Sequence, residues 1–241
     1  MESRKNVLVL GANSDVAKEM ILLYAGKGYE IAAASRSTEE LNRFVAHYNL
    51  TSLVEVLYFD AADFGSHAAF YASLKKKPHI VVYAAGYLSN NENALRDWDA
   101  AFQMMKVHYC GAVSILNLIA MDASNTNLQQ IIGLSSLSGV RGRKSNFIYG
   151  STKSAFTQYL AGLRQYLSPR KITVNVIVAG YIRSKMTAGL GLPESLMLEP
   201  GFIASSAVNA GSRFITVPGL KWKAIYTILK MLPEQLVARL P

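Results

Sequence analysis

Three side chains in the middle of the chain have the types and the spacing needed to move a proton onto or off a carbonyl oxygen. Tyr149 and Lys153 are four residues apart, and on a helix this spacing places both side chains on one face, one turn apart. A free phenol ionises near pH ~10, and a neighbouring ammonium group favours the phenolate and lowers that pKa. The hydroxyl of Ser136, on a separate strand end, can hold a carbonyl oxygen where the phenol protonates it. The set predicts reduction of a ketone or oxidation of an alcohol, provided that a hydride carrier lies alongside.

Apolar strands alternate with helical segments along the chain, and this alternation predicts the framework that positions the three side chains. The strand-like runs are apolar on both faces, which is typical of a parallel sheet covered by helices on each side. Such sheets bind ligands beyond the carboxyl ends of their strands. We therefore expect an α/β fold with a doubly wound parallel sheet of seven strands, at residues 7–10, 29–34, 53–59, 79–84, 130–134, 172–178 and 213–217.

The composition excludes several classes of protein. Half of the 241 residues are hydrophobic and 17% are charged, so a full core is available and disorder is not expected. The single cysteine, Cys110, allows no internal disulfide and suits a reducing, cytoplasmic setting. We expect no signal peptide, because the N-terminus leads directly into an apolar strand, and no transmembrane helix, because no uncharged apolar stretch is long enough. The net charge of +9 is scattered, without the aromatic interleaving of a nucleic-acid platform, and we expect neither a nucleic-acid partner nor a metal site.

The turn after the first strand is a candidate phosphate site. Gly11 permits a tight turn, and the N-terminus of the following helix offers free N–H groups to a pyrophosphate. The turn is poor in glycine, since Asp15 and Ala17 stand where dinucleotide-binding turns often have glycine. We interpret Asp15 as the N-cap of the helix, with its carboxylate pointing into the helix end.

The end of the second strand indicates which dinucleotide binds. An acidic residue at this position would bind the two ribose hydroxyls of NAD, but the sequence reads Ser35-Arg36-Ser37. A guanidinium between two hydroxyls suits a 2′-phosphate through charge-assisted hydrogen bonds. The sequence therefore favours NADP(H) over NAD(H), the alternative being that Arg36 is only a solvated surface residue.

Together these residues resemble the short-chain dehydrogenase/reductase superfamily, over about residues 5 to 220. The most specific part of the resemblance is Ser136 together with the run Tyr149-Gly-Ser-Thr-Lys153. The resemblance implies a single Rossmann-type domain and NADPH-dependent reduction of a carbonyl, with Ser136 holding the substrate oxygen, Tyr149 donating the proton and Lys153 binding the nicotinamide ribose. It also implies further cofactor contacts, at Gly11, Asn13, Ser14, Asp15, Val16, Ser35, Arg36, Asp60, Ala61, Ala84, Ala85, Gly86, Gly180, Ile182 and Ser184.

One position departs from the family pattern. The fourth catalytic residue of the family is an asparagine in a Val-Asn-x-x-Gly run, and here that run contains His108. In the family the asparagine holds a water that relays protons from the lysine to solvent. An imidazole can also relay protons near neutral pH, so we count His108 among the catalytic residues. The alternative is a histidine that only packs its helix.

The C-terminal residues 220–241 follow a predicted domain of residues 1–219, in which residues 186–200 are expected to form a lid. Apolar residues of the tail recur at helical spacing, at Trp222, Ile225, Tyr226, Ile228, Leu229 and Leu232, with lysines beside them. Such a helix can lie on an anionic membrane, at its inner face, or can pack on its own domain or a partner subunit. Together with the first turn, the tail loosely resembles bacterial family members similar to the polyprenyl-phosphoryl ketopentose 2-reductase, which suggests a lipid-linked sugar as one substrate.

Two further predictions concern assembly and an alternative function. Family members commonly pair two long helices between subunits, and the corresponding segments near 100–121 and 147–167 carry apolar residues beyond one stripe, which favours a homodimer or homotetramer. The alternative to a small-molecule carbonyl or alcohol substrate is a non-catalytic NADP-binding sensor or scaffold that kept the fold and lost turnover.

Overall fold

A parallel sheet of seven strands forms the centre of the protein in a computed structural model that describes residues 4–239. The strands lie in the order β3-β2-β1-β4-β5-β6-β7, and every pair of neighbours is parallel, as predicted. They are β1 (Asn6–Leu10), β2 (Glu30–Ser35), β3 (Val54–Tyr58), β4 (Ile80–Tyr83), β5 (Gln130–Ser136), β6 (Thr173–Ala179) and β7 (Ile215–Thr216). The α-helices are α1 (Asp15–Gly26), α2 (Thr38–His47), α3 (His67–Ala72), α4 (Asn91–Arg96), α5 (Trp98–Met105), α6 (Gly111–Met121), α7 (Phe147–Leu167), α8 (Pro200–Val208), α9 (Leu220–Met231) and α10 (Glu234–Val237).

Helices cover both faces of the sheet because side chains alternate along each strand. In β1, Val7 and Val9 belong to one apolar cluster with α1, α2 and α8, whereas Leu8 and Leu10 belong to another with α3, α6 and α7. All four side chains are buried, and burial of one such side chain stabilises the fold by about 1.5–3 kcal/mol. This two-sided core confirms the predicted doubly wound α/β architecture.

The strand order reverses between β1 and β4, and the carboxyl ends of these two strands lie very close together. Gly11 follows β1 with a φ of +82°, and a Cβ added there would lie 2.3 Å from the backbone nitrogen of Ala85, which follows β4. Only glycine satisfies both the backbone conformation and this approach. A crevice for a ligand opens at such a reversal point.

The long helix predicted near residues 100–121 is interrupted. A π-helical segment, Lys106–Cys110, separates α5 from α6, and such segments are frequent at functional sites. Gly111 follows it at a close contact, since a Cβ there would lie 2.0 Å from the carbonyl oxygen of Ala61. Residues Trp98–Met121 together have the length and apolar composition of a membrane span, with a mean hydropathy of 1.3, but half of that apolar window is buried inside the domain, as in the core helix of a globular protein.

The C-terminal tail packs on the domain that precedes it. Trp222 and Leu229 in α9 are buried, and the neighbouring residues Ile225, Tyr226 and Leu232 pack against the same core. Of the predicted stripe, only Ile228 is more than half exposed, at 55%. The stripe that was a candidate for membrane contact is therefore used inside the molecule. Residues 1–3 of the predicted domain and 240–241 of the predicted tail lie outside the described residues.

Candidate active site

The predicted proton-transfer residues converge beyond the carboxyl end of β5. Ser136 is the last residue of that strand, and α7 places Tyr149 and Lys153 one turn apart opposite it. The Ser136 Oγ accepts a hydrogen bond from the backbone N–H of Ser138, at 3.2 Å. The ammonium of Lys153 donates to the carbonyl of Leu134, at 3.1 Å, and lies 5.9 Å from the centroid of the Tyr149 ring. The three side chains thus share one site, as the spacing in the sequence predicts.

Burial dominates the acid–base properties of this site. It raises the pKa of Tyr149 to about 12, while hydrogen bonding with Ser136 acts in the opposite direction. Burial also lowers the pKa of Lys153 from 10.5 to about 8, because only 6% of this residue is exposed. Burial therefore outweighs the hydrogen bond in setting the direction of the pKa shift on Tyr149. At neutral pH the phenol is protonated and able to donate.

His108 lies in the π-helical segment, fully buried, with both ring nitrogens in hydrogen bonds. Nε2 accepts from the backbone N–H of Tyr87, at 3.0 Å, and Nδ1 is 2.8 Å from the hydroxyl of Thr152. Burial and the charge of Lys153 hold the pKa of the imidazole well below its usual value. The geometry does not support the proton relay expected of His108, because a backbone amide supplies no proton.

A cleft of about 540 Å³ runs from the end of β2 past β1 and β4 to the segment after β6. Nearly all of the residues predicted to bind the cofactor line it: Gly11, Asn13, Ser14, Asp15, Val16, Ser35, Arg36, Asp60, Ala61, Ala84, Ala85, Gly86, Ile182 and Ser184. Tyr149, Lys153 and Gly180, also predicted to contact the cofactor, are not among the residues that line it. A Cβ at Gly180 would lie 2.1 Å from the Trp222 indole, so this glycine accommodates the tail instead of the cofactor.

Asp15 has a role different from the N-cap that the sequence suggested. Ser14 occupies the N-cap position of α1 and Asp15 is the first helical residue. The Asp15 carboxylate accepts a hydrogen bond from the backbone N–H of Lys185, at 2.7 Å. The Lys185 ammonium continues across the cleft to Glu40, at 2.7 Å, and to the carbonyl of Asn13, at 3.3 Å. Lys185 is a cleft residue that the sequence analysis missed, since no local pattern connects it with a helix 170 positions away.

The segment after β6, where the lid was predicted, is held from two sides. Arg183 pairs with Glu194 and Glu199, at 2.6 and 2.8 Å, so the segment is closed on itself by ion pairs. From the tail, the Trp222 indole N–H donates to the carbonyl of Leu196, at 2.8 Å. The tail therefore supports the segment that covers one end of the cleft.

Comparisons with known proteins identify a family and a fold that this chain resembles. A sequence model described as short chain dehydrogenase matches residues 5–194. An uncharacterized oxidoreductase of Mycobacterium tuberculosis is 25% identical over 245 residues, covering 98% of this chain and 96% of the relative. Among solved structures, a short chain dehydrogenase from Burkholderia cenocepacia in complex with NADP matches with a TM-score of 0.83 at 18% identity, over 97% of this chain and 96% of the other. One from Sphingobium yanoikuyae in complex with NADPH matches with a TM-score of 0.81 at 18% identity, over 98% and 96%.

Proposed function

This chain belongs to the short-chain dehydrogenase family, and from that premise we propose that it is an NADPH-dependent oxidoreductase that reduces a ketone, or oxidises the alcohol, with Tyr149 as general acid and base. The observation that carries the proposal is the convergence of Ser136, Tyr149 and Lys153 at the carboxyl end of β5. A hydroxyl, a protonated phenol and an ammonium at one strand end are the groups that carbonyl reduction needs.

Features of the cleft support a dinucleotide. Gly11 and Ser14 line the cleft at the N-terminus of α1, where a pyrophosphate is favoured. Asn13 donates to the Ser35 hydroxyl and to the carbonyl of Ser37, at 2.9 and 2.7 Å, which leaves its own Oδ1 buried and without a hydrogen-bond partner. A ligand hydroxyl or amine would satisfy that oxygen. The residues that line the cleft therefore fit a dinucleotide.

Arg36 supports the choice of NADPH. Within residues 4–239 its guanidinium forms no salt bridge, whereas the nearby Glu40 is already held by Lys18 and Lys185, at 2.8 and 2.7 Å. The arginine lines the cleft beside Ser35, so it is available to a phosphate on the adenosine ribose. The two solved structures reported above contain NADP and NADPH, which is consistent with this choice.

The side chains divide the work of the reaction. NADPH, when bound, would supply the hydride for the carbonyl carbon. Ser136 donates a hydrogen bond to the carbonyl oxygen, and Tyr149 gives that oxygen its proton. Lys153 would hold hydroxyls of the nicotinamide ribose with the donors of its ammonium that the carbonyl of Leu134 does not use. General acid catalysis of this kind contributes about 10²–10⁴-fold.

The test is NADPH oxidation with a panel of ketones, comparing the parent protein with Tyr149→Phe. We expect the variant to lose turnover by at least about 10²-fold and to keep its affinity for NADPH. Tyr159→Phe is the matched control, since Tyr159 lies in the same helix but its hydroxyl donates to Asn117, at 2.8 Å, away from the cleft. Equal turnover by parent and Tyr149→Phe would refute the assignment of the acid.

The cofactor assignment has its own control. Arg36→Ala should weaken NADPH binding while leaving NADH binding unchanged, and Arg43→Ala, on the exposed surface of α2, should change neither. Tight NADPH binding with no turnover of any ketone or alcohol would favour the sensor or scaffold alternative.

Assembly and substrate class remain predictions. Large apolar side chains of the segment Trp98–Met121 stay exposed, among them Trp98 and Met121 at 65% and 73%, which supports a homodimer or homotetramer that light scattering would detect. A lipid-linked sugar and contact with the inner face of a membrane lose their structural argument, because the tail stripe packs on its own domain.

A further inference from the structure

Hydrogen-bond directions fix the protonation of His108. A backbone N–H can only donate, so Nε2, which receives the N–H of Tyr87, carries no proton. The Thr152 hydroxyl donates its single proton to the carbonyl of Tyr149, at 2.7 Å, and therefore accepts from Nδ1 of the histidine, at 2.8 Å. The network assigns the neutral ring with its proton on Nδ1.

The ring connects the parts of the site that must be held relative to one another. One nitrogen binds the loop after β4, where Gly86 and Tyr87 line the cleft. The other nitrogen binds α7 through Thr152 at the turn that carries Tyr149. The His108 ring also meets the Tyr149 ring edge to face, with centroids 5.2 Å apart and an interplanar angle of 88°. No other side chain among the described residues bonds to both the Tyr87 backbone and Thr152.

We propose that His108 is a positioning residue: locked with its proton on Nδ1, it fixes Tyr149 relative to the cofactor cleft and carries no proton itself. The inference rests on the proposed function, and it replaces the proton relay that the family pattern suggested. Positioning of reacting groups is strongly distance-dependent, and a displacement of about 1 Å costs up to ~10²-fold in rate.

Substitutions separate the hydrogen bond between His108 and Tyr87 from the one between His108 and Thr152. Thr152→Val removes the hydroxyl that joins the ring to α7, whereas Thr152→Ser keeps it. His108→Gln places an amide oxygen where Nε2 lies, so it keeps the bond to Tyr87 and loses the one to Thr152. If the link acts as described, Thr152→Val and His108→Gln each lower kcat by about 10-fold, their double variant loses no more than either alone, and Thr152→Ser restores the parent rate. His47→Gln, on the exposed end of α2, is the matched control and leaves kcat unchanged.

A pH profile and a spectroscopic readout distinguish positioning from relay. In positioning, the pH dependence of kcat keeps its shape in His108→Gln, because the ring does not titrate. Nitrogen NMR of the histidine-labelled protein, with the His108 signals identified from their loss in His108→Gln, should show Nδ1 protonated and Nε2 unprotonated from about pH 5 to about pH 9.

Two results would overturn the proposal. One is a His108 ring that titrates in this pH range or carries its proton on Nε2. The other is a parent-like kcat in Thr152→Val together with a loss in His108→Gln. The NMR readout needs no turnover, so a failure to find a reducible ketone would count against the proposed function while the tautomer and its links are tested independently.

Discussion

Lys153 carries a charge whose burial costs the free protein stability, and its removal gives a prediction with a sign that depends on pH. The pKa falls from 10.5 to about 8 on folding. Because one pKa unit corresponds to ~1.4 kcal/mol, the buried ammonium lowers the free energy of unfolding at pH 7 by about 3 kcal/mol. Lys153→Met removes this penalty but also leaves the carbonyl of Leu134 without its lysine partner, at a cost of about 1–3 kcal/mol. We expect the variant to be more stable than the parent at pH 7, by up to about 2 kcal/mol, and inactive as a reductase.

The pH dependence isolates the charge from the lost hydrogen bond. Between the folded pKa of about 8 and the unfolded value of 10.5, the unfolded chain binds one proton more than the folded protein, so the stability of the parent rises with pH. The advantage of the Lys153→Met variant should therefore shrink by about 2.5 kcal/mol between pH 7 and pH 10. Titratable groups common to both proteins cancel in this difference.

Urea unfolding at the two pH values, at one protein concentration and without cofactor, measures the effect. Lys27→Met on the exposed surface is the control, and we expect it to match the parent at both pH values. A difference between Lys153→Met and the parent that stays constant from pH 7 to pH 10 would show that the lysine is not a buried charge in the folded protein, and the reasoning would fail.

Three other substitutions test packing and the cleft. Gly111→Ala forces a methyl group against a backbone carbonyl and should lower the free energy of unfolding by about 2–3 kcal/mol. Gly162→Ala is the control in the open middle of α7, where a Cβ meets nothing within 4 Å, and it should raise the free energy of unfolding by up to about 1 kcal/mol. Urea unfolding measures both variants, and equal effects would contradict the predicted clash. Trp222→Ala removes a buried indole and should cost about 3–5 kcal/mol, against a change of about 0.5 kcal/mol or less for Leu220→Ala in the same helix, whose side chain is 83% exposed. Lys185→Met removes the ion pair across the cleft, a partly exposed contact worth about 1 kcal/mol or less, so stopped-flow release of NADPH should become up to about 5-fold faster, and unchanged release would mean that this side chain does not retain the cofactor.

Sequence patterns predicted the parts of this protein that are encoded locally. Strands such as β1 are runs of apolar residues, and α7 carries its Tyr149–Lys153 pair at helical spacing, so the sheet, its helices and the convergence of the site on Ser136 follow from neighbours in the chain. Burial is a property of the assembled fold, and for that reason the direction of the pKa shift on Tyr149 was not predictable from its neighbour alone.

Contacts between distant segments carried no local signal. The bond between Asp15 and Lys185 joins residues 170 positions apart, and a carboxylate after the first turn fits an N-cap equally well. Gly180 matched a cofactor-binding turn in the sequence, but its lack of a side chain serves the Trp222 indole. The sequence showed that His108 departs from the family pattern, but only the structure shows the hydrogen-bond partners of its two ring nitrogens.

The packing of Trp222 beneath Gly180 and against the carbonyl of Leu196 makes the segment over the cleft depend on a helix that is synthesised after the whole sheet. Because translation proceeds from the N-terminus, β1 to β6 and the proton-transfer residues precede α9. The support for the segment covering the cleft arrives only with α9, after every strand of the sheet has been translated. A chain released before α9 is complete would therefore carry the proton-transfer residues but lack the Trp222 contact that supports the segment over the cleft.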